Sequence, residues 1–189
     1  MGTAPPAGTT GLTYRNLLDL PSQGGTRFEL LDGELLVTPS PATRHQDSVL
    51  RIGAALLAYT RRHGGRVAVA PIDVWFSDET VFQPDVVALA TQHTGQVESE
   101  RIVGPPDLVV EVSSPSTRRT DLVRKRRAYE REGVPEFWFV DLDADQIHIY
   151  TLGGDGYGPP RVVLEDGDVR SSVLADFVMP AEEVLARIP

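Results

Sequence analysis

Pro84-Asp-Val-Val-Ala-Leu89 and Asp107-Leu-Val-Val-Glu-Val-Ser113 decide how this chain folds. Each is an apolar run of strand length, and each carries an acid where a hydrophobic residue is expected. Successive side chains of a strand point to opposite faces, so Asp85 shares a face with Val87 and Leu89. In the second run Glu111 and Ser113 lie with Val109, opposite Leu108, Val110 and Val112. A near-continuous Val/Leu run implies a strand covered on both faces. A carboxylate inside such a strand is costly unless a cation or hydrogen bonds compensate it. The plain alternative is a strand-end Asp capping a loop and a Glu paired with Arg. Carboxylates converging from adjacent strands can instead hold Mg²⁺ or Mn²⁺, which favour oxygen ligands. Such a cation activates water and stabilises charge developing on a phosphoryl group.

Working outward, the chain alternates strand and helix signals. Phe28-Glu-Leu-Leu-Asp-Gly-Glu-Leu-Leu-Val37 predicts an N-terminal β-hairpin, because Asp32-Gly33 suits the positive backbone angles of a two-residue turn. A short helix over Tyr14 to Leu20 precedes it. From Ala42 to His63 the period becomes helical: His45, Val49, Ile52, Leu56 and Tyr59 fall on one face, and Gly64-Gly65 stops the run. Extended segments follow at Val67 to Ala70, Asp73 to Phe76 and Phe82 to Leu89. After the Asp107 to Ser113 strand, Ser114-Pro-Ser-Thr117 has helix-capping chemistry. A helix then runs from Thr120 to Arg131, ended by Gly133. Val134 to Val140 and Gln146 to Tyr150 read as strands joined by the Asp141 to Asp145 turn. A strand pair around Arg161 to Leu164 and a short segment from Ala181 to Ile188 complete the chain. The order predicts an α/β (α+β) fold, a mixed central β-sheet flanked by helices. Residues 1–11, rich in Pro and Gly, are expected to form a disordered tail, with a single domain over 12–189.

Composition narrows the function. The 189 residues are 41% hydrophobic and 24% charged, ordinary values for a globular protein. Cysteine is absent, which excludes disulfides, Cys-zinc sites and thiol catalysis. No apolar run is long enough for a membrane span and no signal peptide is evident, so a cytoplasmic protein is expected. The net charge of −9 argues against a protein that coats nucleic acid. Basic residues are nevertheless concentrated at Arg118, Arg119, Arg124, Lys125, Arg126, Arg127 and Arg131. Two suggestive patterns carry nothing. Asp141, Asp143 and Asp145 resemble the start of a calcium loop, but Gln146 replaces its Gly and Leu152 its closing acid. Gly153-Gly-Asp-Gly-Tyr-Gly158 runs into Pro159-Pro160 and opens no helix, so it is no dinucleotide loop.

Pro84-Asp85 followed by Glu111-Val-Ser113 resembles the PD-(D/E)xK nuclease signature, with Ser113 in place of the final lysine. A wider set of motifs is similar to the Uma-two family of restriction endonucleases. It comprises Phe28 to Glu34, Arg44-His45-Gln46, Gly104 to Glu111, Ser114 to Thr117, Lys125-Arg-Arg-Ala-Tyr129 and Gly133 to Asp141. The resemblance runs in consistent order from about Tyr14 to the C-terminus. It implies a restriction-endonuclease-like fold, a metal-dependent endonuclease acting on DNA, and a homodimer. It also implies that the missing strand lysine is replaced from the next helix.

Lys125 fits that replacement. It is the chain's sole lysine among 18 Lys and Arg residues, and its spacing from Leu122 and Tyr129 puts it on the inward stripe. A lysine snorkelling on a basic face is the alternative. On spacing alone Glu34 is a solvated turn-flanking acid; the Asp-Gly-Glu resemblance makes it a site candidate. His45 heads its helix on the apolar stripe, where it could position water or phosphate or be a satisfied core-edge histidine. The expected catalytic set is therefore Glu34, Asp85, Glu111, Lys125 and His45. The expected Mg²⁺ (or Mn²⁺) ligands are Asp85, Glu111, Glu34 and the Val112 carbonyl. The rival reading is a catalytically inactive nuclease-fold module for nucleic-acid binding or assembly.

Overall fold

The turn at Asp32 and Gly33 starts the fold. In the computed structural model, which describes residues 4–21, 25–114 and 118–187, both turn residues have positive φ, 52° and 76°. Those angles match the twist of a two-residue hairpin, and β1 (Arg27–Leu31) pairs antiparallel with β2 (Glu34–Thr38) across it. Helix α1 (Tyr14–Leu18) precedes the hairpin. Part of the stretch expected as a disordered tail is ordered by backbone pairing. Gly8 N–H donates to the Leu35 carbonyl at 2.9 Å, Leu35 N–H to the Thr9 carbonyl at 2.8 Å, and Leu12 N–H to the Gly33 carbonyl at 3.0 Å. β2 is the edge of its sheet. Its open backbone groups recruit the segment, an attraction that composition does not reveal.

Helix α2 (Thr43–His63) buries His45, Val49, Ile52 and Leu56 along its predicted stripe and ends at Gly64, where φ is 79°. Four strands follow: β3 (Arg66–Val69), β4 (Asp73–Ser77), β5 (Thr80–Phe82) and β6 (Val86–Leu89). The run from Phe82 to Leu89, expected as one strand, is two. Pro84 cannot donate to a ladder, so β5 and β6 join different sheets and Asp85 stands at the entry of β6. β7 (Arg101–Val103) and β8 (Leu108–Val112) come next. The predicted cap at Ser114 to Thr117 extends into 115–117, which lie outside the described residues. A π-helical turn, Thr120–Lys125, leads into α3 (Arg126–Arg131). The rest comprises β9 (Glu136–Asp141), β10 (Gln146–Gly153), β11 (Gly156–Tyr157), β12 (Arg161–Leu164), β13 (Asp168–Arg170), β14 (Val178–Pro180) and α4 (Ala181–Leu185). β12 pairs with β10 and widens the sheet; β13 and β14 form a separate ribbon.

The central sheet runs β11-β10-β9-β8-β6-β3, with β8 and β9 parallel and the other pairings antiparallel. A second sheet runs β2-β1-β5-β4-β7. Val86, Ala88, Val110 and Val112 pack against α2 and the C-terminal unit, whereas Val87, Leu89 and Val109 pack with Tyr129 of α3 and Phe82 of the second sheet. Covering both faces of β6 and β8 is what makes their acids unusual. Each large apolar side chain buried there contributes about 1.5–3 kcal/mol relative to exposure. Among the described residues no helix is long and apolar enough to cross a membrane.

Candidate active site

β6 and β8 pair Val86 with Val110 and Val87 with Val109. Continuing that register by one residue sets Asp85 opposite Glu111, on the face that Val87 and Val109 share. Both acids are only 2% exposed. Asp85 is held at three points. Its Oδ1 accepts from Arg27 Nη1 at 2.7 Å, and its Oδ2 accepts the Val112 N–H at 2.8 Å and lies 3.1 Å from His45 Nε2. Burial opposes the charge on Asp85, but the His45 bond, the Arg27 charge and the Val112 N–H hold its pKa below the usual carboxylate value.

Glu111 is in a different electrostatic position. Its Oε1 accepts from Tyr129 Oη at 2.6 Å and from Lys125 Nζ at 3.1 Å. Burial, reinforced by Asp121, Asp85 and Glu29 against the opposing Lys125 charge, pushes its pKa up to about 8. Burial likewise opposes charge on Lys125, which is 4% exposed. Glu111, Glu29 and Asp121 outweigh it and keep the ammonium protonated. Lys125 reaches this point from the π-helical turn, a wide turn found frequently at functional sites.

The structure brings Asp85, Glu111, Lys125 and His45 together around one cavity of about 180 Å³, which Arg27 and Asp121 also line. Glu34 does not join them. Its carboxylate takes a two-point pair from Arg124, at 2.7 and 3.1 Å, in a separate depression beside β2. Val112 contributes its N–H to Asp85. Ser113 Oγ accepts the Leu142 N–H at 3.0 Å, so this hydroxyl ties two backbone segments. Two further residues of the cluster, Arg27 and Glu29, carry a signal of their own in the sequence. Arg27, Glu29 and Leu31 occupy alternate positions of β1, and Leu31 faces the core. The same period of two that exposes Asp85 therefore places Arg27 and Glu29 inward. Glu29 is 1% exposed and accepts from Lys125 Nζ at 2.8 Å and the Gln83 N–H at 2.7 Å.

The basic segment is partly neutralised from within. Arg118 pairs with Asp141 at 2.5 Å, Arg124 with Glu34, and Arg131 with Asp32 at 2.8 Å. Arg119 and Arg127 are exposed.

The donor set suits a hard divalent cation. Among the described residues no three Asp, Glu or His side chains form a ready metal cage. Mg²⁺ does not need one, since it binds through one or two carboxylates and keeps several waters. Charge supplies the motive. Among the described residues, four buried carboxylates, Glu29, Asp85, Glu111 and Asp121, face two permanent cations, Arg27 and Lys125, and the His45 imidazole. Burial, with the neighbouring negative charge added to it, leads Glu111 to retain its proton up to about pH 8, and a cation could displace that proton.

A mixed sheet with helices on its faces and acids at adjoining strand ends defines a restriction-endonuclease-like fold. A solved structure described as a putative nuclease belonging to DUF820, from Anabaena variabilis ATCC 29413, shares it. The TM-score is 0.76 at 17% sequence identity, over 93% of this chain and 98% of that one. The chain belongs to the Uma2 family, described as "Putative restriction endonuclease", whose profile matches residues 14–182. No curated protein matches the chain. Family and fold together point to a nuclease.

Proposed function

We propose that this chain is a metal-dependent endonuclease that hydrolyses DNA phosphodiester bonds, with residues 12–189 as one nuclease domain working as a homodimer in the cytoplasm. The observation that carries the reading is that Asp85 and Glu111, set opposite each other by the continued β6–β8 register, are both buried and line one cavity with surplus negative charge. Asp85 and Glu111 would hold Mg²⁺ or Mn²⁺, with further coordination left to water and substrate oxygens. The cation, when bound, supplies polarisation of a water nucleophile and of the phosphoryl group.

The protein's own groups do the rest. Val112 N–H and His45 fix the orientation of Asp85, and Tyr129 fixes that of Glu111. Lys125 keeps a compact positive charge where negative charge grows on the attacked phosphate, and such preorganised charge is among the largest catalytic effects. Arg119 and Arg127 are the exposed cations best placed for neighbouring phosphates, because Arg118, Arg124 and Arg131 already have acid partners.

One observation favours the inactive-module alternative: Arg27, His45 and Lys125 already occupy the carboxylates. The charge surplus weighs against it, because a purely structural network gains by balance. The test is a cleavage assay on single-stranded, duplex and branched DNA with Mg²⁺, Mn²⁺ or EDTA. The nuclease reading expects cleavage that EDTA abolishes and that Asp85→Asn and Glu111→Gln lose; DNA binding without cleavage in every arm would establish the module instead.

A further inference from the structure

We infer that Glu29 is a positioning residue that holds Lys125 in place when Glu111 turns to a cation. The inference rests on the nuclease reading above and assigns a task to an acid that reading leaves unused. Lys125 Nζ has three carboxylate neighbours: Glu29 at 2.8 Å, Glu111 at 3.1 Å and Asp121 at 3.7 Å. A divalent cation on Glu111 would repel the ammonium and draw away the Glu111 oxygen. Asp121 is beyond hydrogen-bonding distance, so Glu29 is the direct anchor that remains.

The anchor is itself rigid. Glu29 lies inside β1, paired with Leu36 across the hairpin, and its Oε1 also takes the Gln83 N–H at 2.7 Å. The Phe82 ring lies 5.6 Å from Lys125 Nζ and closes another side of the ammonium. Two residues earlier on the same face of β1, Arg27 grips Asp85 at 2.7 Å. One strand of the second sheet therefore sets the cation beside each metal-facing carboxylate. Arg27 serves Asp85, and Glu29 serves Glu111 through Lys125. That arrangement explains why an acid is buried in β1, where an apolar residue would cost less.

The experiment compares the wild-type chain with Glu29→Gln and Glu29→Asp. Gln keeps an acceptor for the Gln83 N–H and removes the charge; Asp keeps the charge and retracts it. Cleavage kinetics, Mn²⁺ affinity and melting are measured for each. Because Lys125 is the chain's only lysine, ¹⁵N-lysine labelling gives a single ammonium signal to follow. The expected result is a fall in kcat of ~10-fold or more in both variants, with KM for DNA and Mn²⁺ affinity within ~2-fold of wild type. On Mg²⁺ addition the ammonium signal should persist in wild type and be lost in Glu29→Gln. Unchanged kcat in folded variants would overturn the inference. Lost Mn²⁺ affinity would overturn it too, by making Glu29 a ligand. If the wild type neither binds Mn²⁺ nor cleaves, the nuclease reading fails separately. The metal-free signal then decides the anchor in a Glu111→Gln background, where the competing carboxylate charge is gone: ammonium protection that survives adding Glu29→Gln would refute it.

Discussion

Replacing Lys125 with Met should destabilise the protein in a strongly pH-dependent way. The side chain is of similar length and apolar, so packing is largely kept while the charge goes. Lys125 Nζ lies 2.8 Å from Glu29 and 3.1 Å from Glu111. At an effective dielectric constant of about 20, the Glu29 contact represents a gross attraction of ~5 kcal/mol before desolvation is subtracted, and the Glu111 contact approaches that only where Glu111 is ionised. The net cost of removing one partner from a buried pair is about 3–5 kcal/mol, a large share of the ~5–15 kcal/mol that stabilises a typical domain. For a chain of this size a loss of 1 kcal/mol lowers Tm by roughly 2–4 °C, so Tm should fall by ~10 °C near pH 8. The orphaned carboxylates then bind protons more tightly in the folded state than in the unfolded one. The penalty must therefore shrink as pH falls towards about 5, where protonation removes the uncompensated charge. Differential scanning calorimetry of both proteins across that range measures this directly. A Lys125→Met protein with wild-type Tm at pH 8, or a deficit unchanged by pH, would refute the reasoning. Where folded, Lys125→Met and Lys125→Arg should both lose at least ~10²-fold in cleavage, because the wide guanidinium does not replace a compact ammonium.

Other consequences are simpler to test. Glu111 in the folded protein binds its proton more tightly than an ordinary carboxyl, with a pKa raised from 4.5 to about 8. Its contribution to metal-free stability is therefore complete below pH 4.5 and lost as pH rises towards 8, and Mg²⁺ should restore Tm most at the alkaline end. Mn²⁺ affinity should rise over the same interval, measured by isothermal titration; a flat profile would remove Glu111 from the ligands. Glu34→Ala should leave cleavage within ~2-fold of wild type, because Glu34 pairs with Arg124 away from the cavity; a large loss would return Glu34 to the site. Replacing Arg119 and Arg127 with Ala should flatten the salt dependence of DNA binding by up to about 0.9 log units per lost phosphate contact. Arg118→Ala should change it less, since Arg118 is tied to Asp141.

Local signals in the sequence carried much of this arrangement. The Asp32-Gly33 turn, the α2 stripe and the shared face of Asp85 with Val87 all follow from spacing and turn chemistry alone. Lys125 also reads as inward from its distance to Leu122 and Tyr129, although nothing in that spacing reveals a π-helical turn, whose hydrogen-bond register leaves the apolar pattern intact. Glu29 carries the same period-two signal as Asp85, whereas Glu34 is a candidate only through the Asp-Gly-Glu resemblance, and in the structure it follows the loop and pairs with Arg124. The arginine segment looks free in the sequence because its partners, Asp141, Glu34 and Asp32, come from distant elements. The pairing of residues 8–12 with β2 was hidden for a related reason, since it depends on a strand edge and not on apolar side chains.

The central claim is that Asp85 and Glu111 jointly bind a catalytic divalent cation. A Mn²⁺ titration followed by electron paramagnetic resonance tests it most directly. The account predicts one saturable Mn²⁺ site per chain that Mg²⁺ displaces, abolished by either Asp85→Asn or Glu111→Gln and retained in Glu34→Ala. Saturable binding that survives both carboxylate substitutions, or none in the folded wild-type protein, would contradict it.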